Sequence, residues 1–258
     1  MNDASNAPQL SRIEDAGLNA SAPPQQRWVD GWLVRYSPGR AKRARCVNAV
    51  SEGRLPLAQR LALCEQVFAE AGLPMIVRIT PFTRPSALDG VLKANGMRRF
   101  DDTRVMLRAE LGGWAPEALP PGVSIRSVDA ATLAQAVGAL RGSTRAASEA
   151  HAQRLLLSPV PLRAFELVVD GALAACGQLA IEHELVGLYD VFTAPPWRGR
   201  GFARLLCSHL LGQALAQGAR HAYLQVEGDN HPARSVYRRL GFSDAYTYHY
   251  RTRDPGAA

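Results

Sequence analysis

The sequence predicts an α/β protein, of the α+β type, built as two lobes. Apolar runs typical of strands alternate along the chain with longer segments whose apolar residues recur at helical spacing. Three prolines and three glycines fall within GGWAPEALPPG, residues 112–122, which indicates an exposed connection. We therefore expect a smaller lobe over residues 26–110, a linker over 111–121 and a larger lobe over 122–258.

The elements of the larger lobe follow from apolar pattern and turn residues. GVSIRSV alternates like a strand, and Asp129 after it caps a helix with a periodic apolar face. The dipeptide Asp170-Gly171 predicts a hairpin. The resulting order is β-α-α-β-β-β-α-β-α-β. Its later members are a helix over 147–157, a strand over 185–193, a helix from Gly201, a strand over 222–228, a helix over 231–241 and a strand over 242–251.

The smaller lobe repeats part of this order. Strands WLVRY and ARCVNAV precede a helix over 57–71, and MIVRIT, LDGVLKANG and FDDTRVML read as strand, helix and strand. The last three resemble the strand–helix–strand of 222–250, which favours a divergent internal duplication. The alternative is that any α/β lobe has this order.

The composition restricts the class of protein. With 47% apolar and 21% charged residues, the chain is typical of a globular domain, and no apolar stretch of about 18 residues could span a membrane. Residues 1–25 lack a basic segment followed by an apolar one, so they do not resemble a secretory signal. We expect them to form a disordered or loosely docked extension of a cytoplasmic protein. The four cysteines form no C-x-x-C pair, so we expect no metal site and no disulfide framework.

The net charge of +7 favours an anionic partner without specifying which one. Residues 26–60 are strongly basic, and Arg40, Lys42, Arg43 and Arg45 could guide an acidic acceptor or form a solvated basic turn. No nucleic-acid reading motif or aromatic stacking platform accompanies them, so we expect no nucleic-acid partner.

The stretch PPWRGRGFARLL, residues 195–206, has the chemistry of an anion cradle. It lies between a predicted strand and a predicted helix, whose first backbone N–H groups lack intrahelical partners. Gly199 and Gly201 allow close approach to the backbone, and Arg198 and Arg200 can add charge-assisted contacts. No G-K-[ST] follows, and Arg204 stands where a dinucleotide fingerprint needs Gly or Ala.

Two motifs together resemble the GNAT superfamily of N-acetyltransferases. The first is R-x-x-G-x-A, formed by Arg198, Gly201 and Ala203, and the second is N-x-x-A-x-x-x-Y-x-x-x-G-F, from Asn230 to Phe242. They occur in the order and element context of that family. The resemblance implies a central mixed, mostly antiparallel sheet flanked by helices, preceded by a partial GNAT-like lobe of the tandem type.

The resemblance also implies roles for particular residues. The strand residues Val191, Phe192 and Thr193 would pair with pantetheine and hold the thioester. The main chain of Arg198, Gly199, Arg200, Gly201, Phe202 and Ala203 would wrap the pyrophosphate of acetyl-CoA. Asn230 would contact the cofactor, and Tyr237, as catalytic acid, would protonate the departing thiolate. A core aromatic beside Ala233, Val236 and Leu240 is the alternative for Tyr237.

The implied activity is acyltransferase chemistry, in which a primary amine attacks acetyl-CoA directly in a ternary complex. A known family variant has a glutamate base where this chain has Gly187. Asp190 is expected on the face opposite Tyr189 and Val191. Glu182, His183, Glu184 or a water chain could serve as the base, so no base is assigned. The alternative function is a non-catalytic acyl-CoA sensor, which would not need Tyr237.

The smaller lobe lacks this apparatus. Leu92 and Pro85 stand where the duplication would place the tyrosine and the asparagine. We therefore expect one acetyl-CoA per chain, no membrane partner, and a smaller lobe that shapes the substrate cleft or supports a homodimer.

Overall fold

The computed structural model describes residues 7–38, 41–254 and 256. Arg40, one of the basic residues singled out above, lies outside them. The helices within these ranges are α1 Ala7–Ala20, α2 Leu57–Glu70, α3 Leu88–Ala94, α4 Ala130–Arg141, α5 Arg145–Leu156, α6 Phe202–Leu215 and α7 His231–Arg239. The strands are β1 Gln26–Val29, β2 Trp32–Arg35, β3 Val47–Asn48, β4 Val77–Ile79, β5 Arg98–Arg108, β6 Val123–Val128, β7 Leu162–Val169, β8 Ala172–Glu182, β9 Leu185–Thr193, β10 His221–Glu227 and β11 Ser243–Thr252.

Local signals account for most of these boundaries. The Asp129 side chain accepts a hydrogen bond from the backbone N–H of Thr132 and begins α4, and Thr144 caps α5 in the same way. Asp170 and Gly171 both have positive φ and join β7 to β8 as a hairpin. The mixed α/β class with helices flanking a sheet is confirmed.

The described chain divides into two compact units. The large unit contains α1, Val105–Val226 and Asn230–Ala245, and the small unit contains Ser21–Arg104, Glu227–Asp229 and the chain from Tyr246 onward. This division differs from the predicted lobes of 26–110 and 122–258, because β5 and β11 each contribute residues to both units.

The large unit is organised around strands in the order β10-β9-β8-β7-β6. One face of these strands packs on α6 through a core that includes Val186, Leu188, Leu206 and Leu210. We call this the α6 face. The opposite face packs on α4 and α5 through a second core, and we call it the α4/α5 face.

The small unit has the strand order β1-β2-β3-β4-β11. Its core contains Trp32, Phe68 and Leu92, of which Trp32 is fully buried. Strand β4 pairs in parallel with β3 and antiparallel with β11. Burial of these aromatic and aliphatic side chains gives the unit a hydrophobic core of its own.

The described part of the segment before β1 is not the disordered or loosely docked extension that the sequence suggested. Residues 7–20 form α1, on which Ile13 is fully buried and Ala16 is 2% exposed. A Cβ on Gly17 would lie 2.9 Å from the amide nitrogen of Gln225, so the helix closely approaches β10. The helix is stabilised by this tertiary contact, so the polar composition of the segment alone did not predict it.

The predicted linker is also packed rather than exposed over its first half. Leu111 is fully buried, and the indole N–H of Trp114 donates to the Ser208 carbonyl on α6 over 3.0 Å. The Ser208 hydroxyl accepts from the backbone N–H of Glu117 over 2.9 Å. Residues 111–117 therefore belong to the large unit.

Candidate active site

The centre of the candidate site is the place where β9 and β10 separate. Their parallel pairing runs from Leu185 opposite His221 to Leu188 opposite Leu224, and within the described chain the two strands do not pair beyond these residues. Strand β9 continues to Thr193 with β8 as its partner. The edge of Val191–Thr193 that faces away from β8 is therefore available to a ligand that enters between the strands.

A β-bulge in β9 marks this point. The register between β8 and β9 shifts between Cys176 and Gln178, and Asp190 has a φ of +48°. A bulge interrupts the alternation of side chains. Asp190 consequently lies on the α4/α5 face, opposite Val191 as expected. Tyr189 lies on the same side as Asp190, so the expectation that these two side chains point to opposite faces is wrong.

The loop after β9 leads into α6 through two glycines. Gly199 has a φ of +76°, and Gly201, the N-cap of α6, has a φ of +84° with no side-chain cap. A Cβ on either glycine would meet no described atom within 4 Å, so the space beside them is open. The unpaired N–H groups at the start of α6 and this open space suit an anion.

Side chains around the loop fix its shape. The Arg198 Nε donates to the Thr193 carbonyl over 3.3 Å, and the Arg200 guanidinium lies 5.1 Å from the centre of the Trp197 ring. The Trp197 and Phe202 rings meet edge to face at 5.7 Å. The arginines are thus partly engaged by the loop itself.

Helix α7 brings the last two predicted residues to the large unit. The Asn230 side chain accepts from the backbone N–H of Ala233 over 3.2 Å, so it caps the helix as its position suggested. Tyr237 is 9% exposed and packs in the same core as Phe202 and Leu206. Within the described chain its hydroxyl has no hydrogen-bond partner. Burial raises the pKa of this phenol far above its ordinary value.

The β9 residues expected to hold the cofactor lie on both sides of the sheet. Val191 packs against the α6 core, whereas Phe192 packs against the core of α4 and α5, with the Arg141 guanidinium 4.5 Å from its ring centre. Thr193 ends the strand. Cofactor contact by these residues, by the loop and by α7 stays a prediction.

Gly187, which occupies the place of a glutamate in the family variant, is surrounded by tyrosines. A Cβ there would lie 2.5 Å from the Tyr189 ring and 2.7 Å from the Tyr223 ring. The two tyrosine hydroxyls are 2.7 Å apart. The space that a base would need is therefore filled by aromatic rings.

The charged residues of the turn before β9 do not reach the opening. Glu182 accepts from the Asn19 side chain over 3.0 Å, and Glu184 pairs with Arg220. His183 has a φ of +56° in the turn itself. At about 3.3 Å per residue, the turn lies roughly 25 Å from Val191 along β9.

A polar cluster on the α4/α5 face was not anticipated. It joins His151 of α5 and Gln178 of β8 to Asp190, with Nε2···Oδ2 distances of 3.0 and 2.8 Å, and Arg141 of α4 lies 3.4 Å from Oδ1. Burial opposes ionisation of Asp190, but His151 and the neighbouring arginines outweigh it and lower the pKa of the carboxyl to about 2. The sequence signal was the single charge in the otherwise uncharged β9.

The small unit offers no counterpart to this arrangement at the positions compared. Leu92 is 1% exposed in its core, and Pro85 accepts a hydrogen bond from the Leu88 N–H before α3. Lys42 pairs with Asp101, and the Arg43 guanidinium donates to the Tyr248 hydroxyl over 3.2 Å. These basic side chains are engaged in fold contacts rather than solvated.

The described residues contain no group of three or more His, Cys, Asp or Glu side chains placed to hold a metal ion. None of their helices combines the length and apolar character needed to cross a bilayer.

Comparison with known proteins identifies the class. Residues 138–242, which contain α6, the glycine loop and α7, match the acetyltransferase (GNAT) family. Over these residues the chain is similar to GNAT acetyltransferases, and the resemblance drawn from the two motifs is confirmed.

Among curated relatives, a mycothiol acetyltransferase from Tsukamurella paurometabola is 30% identical over 171 residues, which are 62% of this chain and 51% of the relative. A streptothricin acetyltransferase from Streptomyces lavendulae is 36% identical over 76 residues, 29% of this chain and 40% of the relative. An uncharacterized N-acetyltransferase from Bacillus subtilis is 24% identical over 88% of this chain and 91% of its own length. The chain spans about half the length of the first two relatives.

Solved structures support the fold. A GCN5-related N-acetyltransferase from Kribbella flavida superimposes with a TM-score of 0.69 at 21% identity, covering 95% of both chains. A tandem GNAT protein from the clavulanic acid biosynthesis pathway gives a TM-score of 0.59 at 16% identity, covering 77% of this chain and 70% of its own. An additional N-terminal lobe before a GNAT domain thus has a counterpart among known folds.

Proposed function

We propose that this protein is an N-acetyltransferase that moves the acetyl group of acetyl-CoA to a primary amine by direct attack in a ternary complex. The observation that carries the proposal is the separation of β9 from β10 after Leu188, beside the glycine-rich start of α6. This opening would offer the backbone edge of Val191–Thr193 to a thioester and the N–H groups at the start of α6 to a pyrophosphate.

The donor would be held mainly by main-chain atoms. The pyrophosphate would bind the N–H groups of residues 199–203, where Gly199 and Gly201 leave the space open. Pantetheine would run along the free edge of Val191–Thr193, and Asn230 would contact the cofactor at the start of α7. Acetyl-CoA is the only cofactor in this proposal, and it is consumed as a substrate.

The reaction would proceed by electrostatic and acid catalysis. Backbone donors at the end of β9 would stabilise the oxyanion that forms when the amine attacks the thioester carbonyl. Tyr237 would donate its proton to the departing thiolate. Its raised pKa keeps the phenol protonated at any physiological pH, as this role requires.

The acceptor would be an amine, and the names of two relatives suggest which amines to test first. Two are named for acetylation connected with mycothiol and streptothricin. An acceptor panel should therefore contain streptothricin and the acceptor of mycothiol acetyltransferases beside simple amines and peptide amines. Because acetyl-CoA is the proposed donor, we expect the protein to work in the cytoplasm.

The test combines thiol release with product analysis. Purified protein is mixed with acetyl-CoA and each amine, free CoA thiol is followed with time, and the acetylated product is identified by mass spectrometry. Steady amine-dependent turnover supports the proposal. Tight binding of CoA without turnover across the panel would contradict it and favour the acyl-CoA sensor.

A further inference from the structure

The polar cluster on the α4/α5 face adjoins the proposed reaction centre. Asp190 is the bulge residue of β9 and immediately precedes Val191, whose backbone the thioester would meet. His151 enters the cluster from α5, on the side of the sheet opposite α6. The donor is expected at the start of α6, so an acceptor approaching from the other face would meet this cluster.

The Asp190 carboxylate is already committed to its neighbours. One oxygen receives the Gln178 amide over 2.8 Å and lies 3.0 Å from the His151 Nε2, and the other lies 3.4 Å from Arg141. With a pKa near 2, this carboxylate is a weak base. Its geometry suits it to hold the imidazole ring rather than to accept a proton from substrate.

One ring nitrogen of His151 is available to accept a proton. Acceptance by Asp190 favours a proton on Nε2, which leaves the lone pair on Nδ1. Among the described residues, Nδ1 has no hydrogen-bond partner. The His151 side chain is 11% exposed, so the ring is held in place yet remains partly accessible.

Other groups near the opening are poorly suited to act as a base. Tyr189 and Tyr223 share a hydrogen bond between their hydroxyls. Glu182 and Glu184 lie at the far end of β9. We propose that His151 is the general base that removes a proton from the acceptor ammonium, and that Asp190 is the positioning residue for its ring. This inference rests on the acetyl transfer proposed above.

Every proton transferred in this reaction has a donor and an acceptor. Nδ1 of His151 takes one proton from the ammonium, and the freed amine forms a C–N bond to the thioester carbonyl carbon. The C–S bond then breaks, and the thiolate takes the Tyr237 proton. The second nitrogen proton goes to solvent, from which Tyr237 is reprotonated, while His151 returns its proton to solvent. Asp190 stabilises the imidazolium in between, as a carboxylate does in a hydrolase triad.

The test uses two nucleophiles that differ in protonation. Near neutral pH n-butylamine is protonated and needs a base, whereas hydroxylamine is largely unprotonated. For His151→Gln, which keeps an amide donor toward Asp190, we expect a rate loss of about a hundredfold with n-butylamine and less than about threefold with hydroxylamine. Asp190→Asn should lower kcat with n-butylamine more than with hydroxylamine and leave the KM for acetyl-CoA unchanged.

His209→Gln is the matched control, since His209 lies on α6 against Phe165, away from the cluster. It should leave both rates unchanged, and CoA affinity should be unchanged in all three variants. Equal losses with both nucleophiles, or no loss, in folded His151→Gln or Asp190→Asn protein would overturn the assignment. If wild-type protein transfers acetyl groups to no amine at all, the proposed function fails, and the base assignment fails with it.

Discussion

Replacement of Tyr237 by Phe separates chemistry from packing. The change keeps the ring, which meets Phe242 edge to face at 6.1 Å, and deletes a hydroxyl that has no described hydrogen-bond partner. Loss of a hydroxyl without a described partner leaves no acceptor or donor orphaned. We therefore expect the free energy of unfolding to stay within about 0.5 kcal/mol of wild type.

The expected effect on rate follows from the two acids involved. A positioned general acid contributes about 10²–10⁴-fold. The thiol formed has an ordinary pKa of about 8.5, so the thiolate departs readily. The phenol is a much weaker acid because burial raises its pKa. We expect the low end, a hundredfold fall in kcat, which is about 2.7 kcal/mol of transition-state stabilisation.

The assay is thiol release at saturating acetyl-CoA, with CoA affinity measured separately by calorimetry. A loss confined to kcat, with CoA affinity unchanged, supports the acid role. If the variant turns over within about threefold of wild type, Tyr237 is a packing residue and the reasoning about the thiolate is wrong.

Three further changes test other parts of the site and fold. Gly201→Val imposes a branched side chain on a φ of +84° and should weaken CoA binding at least tenfold by calorimetry. The control Gly218→Val, with a φ of +90° near the other end of α6, should not weaken CoA binding. If the Gly201→Val protein binds CoA as tightly as wild type, the loop is not part of the site. Gly187→Ala places a Cβ 2.5 Å from the Tyr189 ring and should lower thermal stability by about 1–3 kcal/mol; an unchanged melting temperature would show that the rings move freely. The hydrogen bond from Arg251 lowers the pKa of Asp89 to about 2 against the effect of burial, so the ionised carboxylate stabilises the fold above its ordinary pKa. This contribution is lost as pH falls from about 4 toward 2. Asp89→Asn should therefore reduce the loss of unfolding free energy over this pH range in urea unfolding, and an unchanged loss would contradict the pairing.

Local signals explain why the structural elements around the candidate site could be predicted. Glycines, prolines and a helix start determine the loop at 195–206 within a few residues, and the tyrosine at position 237 lies on a short helix whose cap is Asn230. Each of these depends on neighbours in sequence. The order of strands in the larger lobe followed from the same kind of evidence.

Features that depend on distant contacts were missed. The apolar residues of α1, such as Ile13, are diluted by Asn, Ala and Pro, and only docking makes the helix evident. The bulge at Asp190 breaks the alternation rule on which its orientation was predicted. The pairing of Asp190 with His151 joins residues 39 apart in sequence, which no periodicity reveals.

We propose that one acetyl-CoA binds in the large unit, between β9 and the start of α6. Its most direct test is amide hydrogen exchange of the full chain with and without CoA, combined with calorimetric stoichiometry. We expect one CoA per chain and new protection at residues 191–193 and 199–203, with none around Pro85 and Leu92 of the small unit. Two equivalent sites, or protection confined to the small unit, would contradict it.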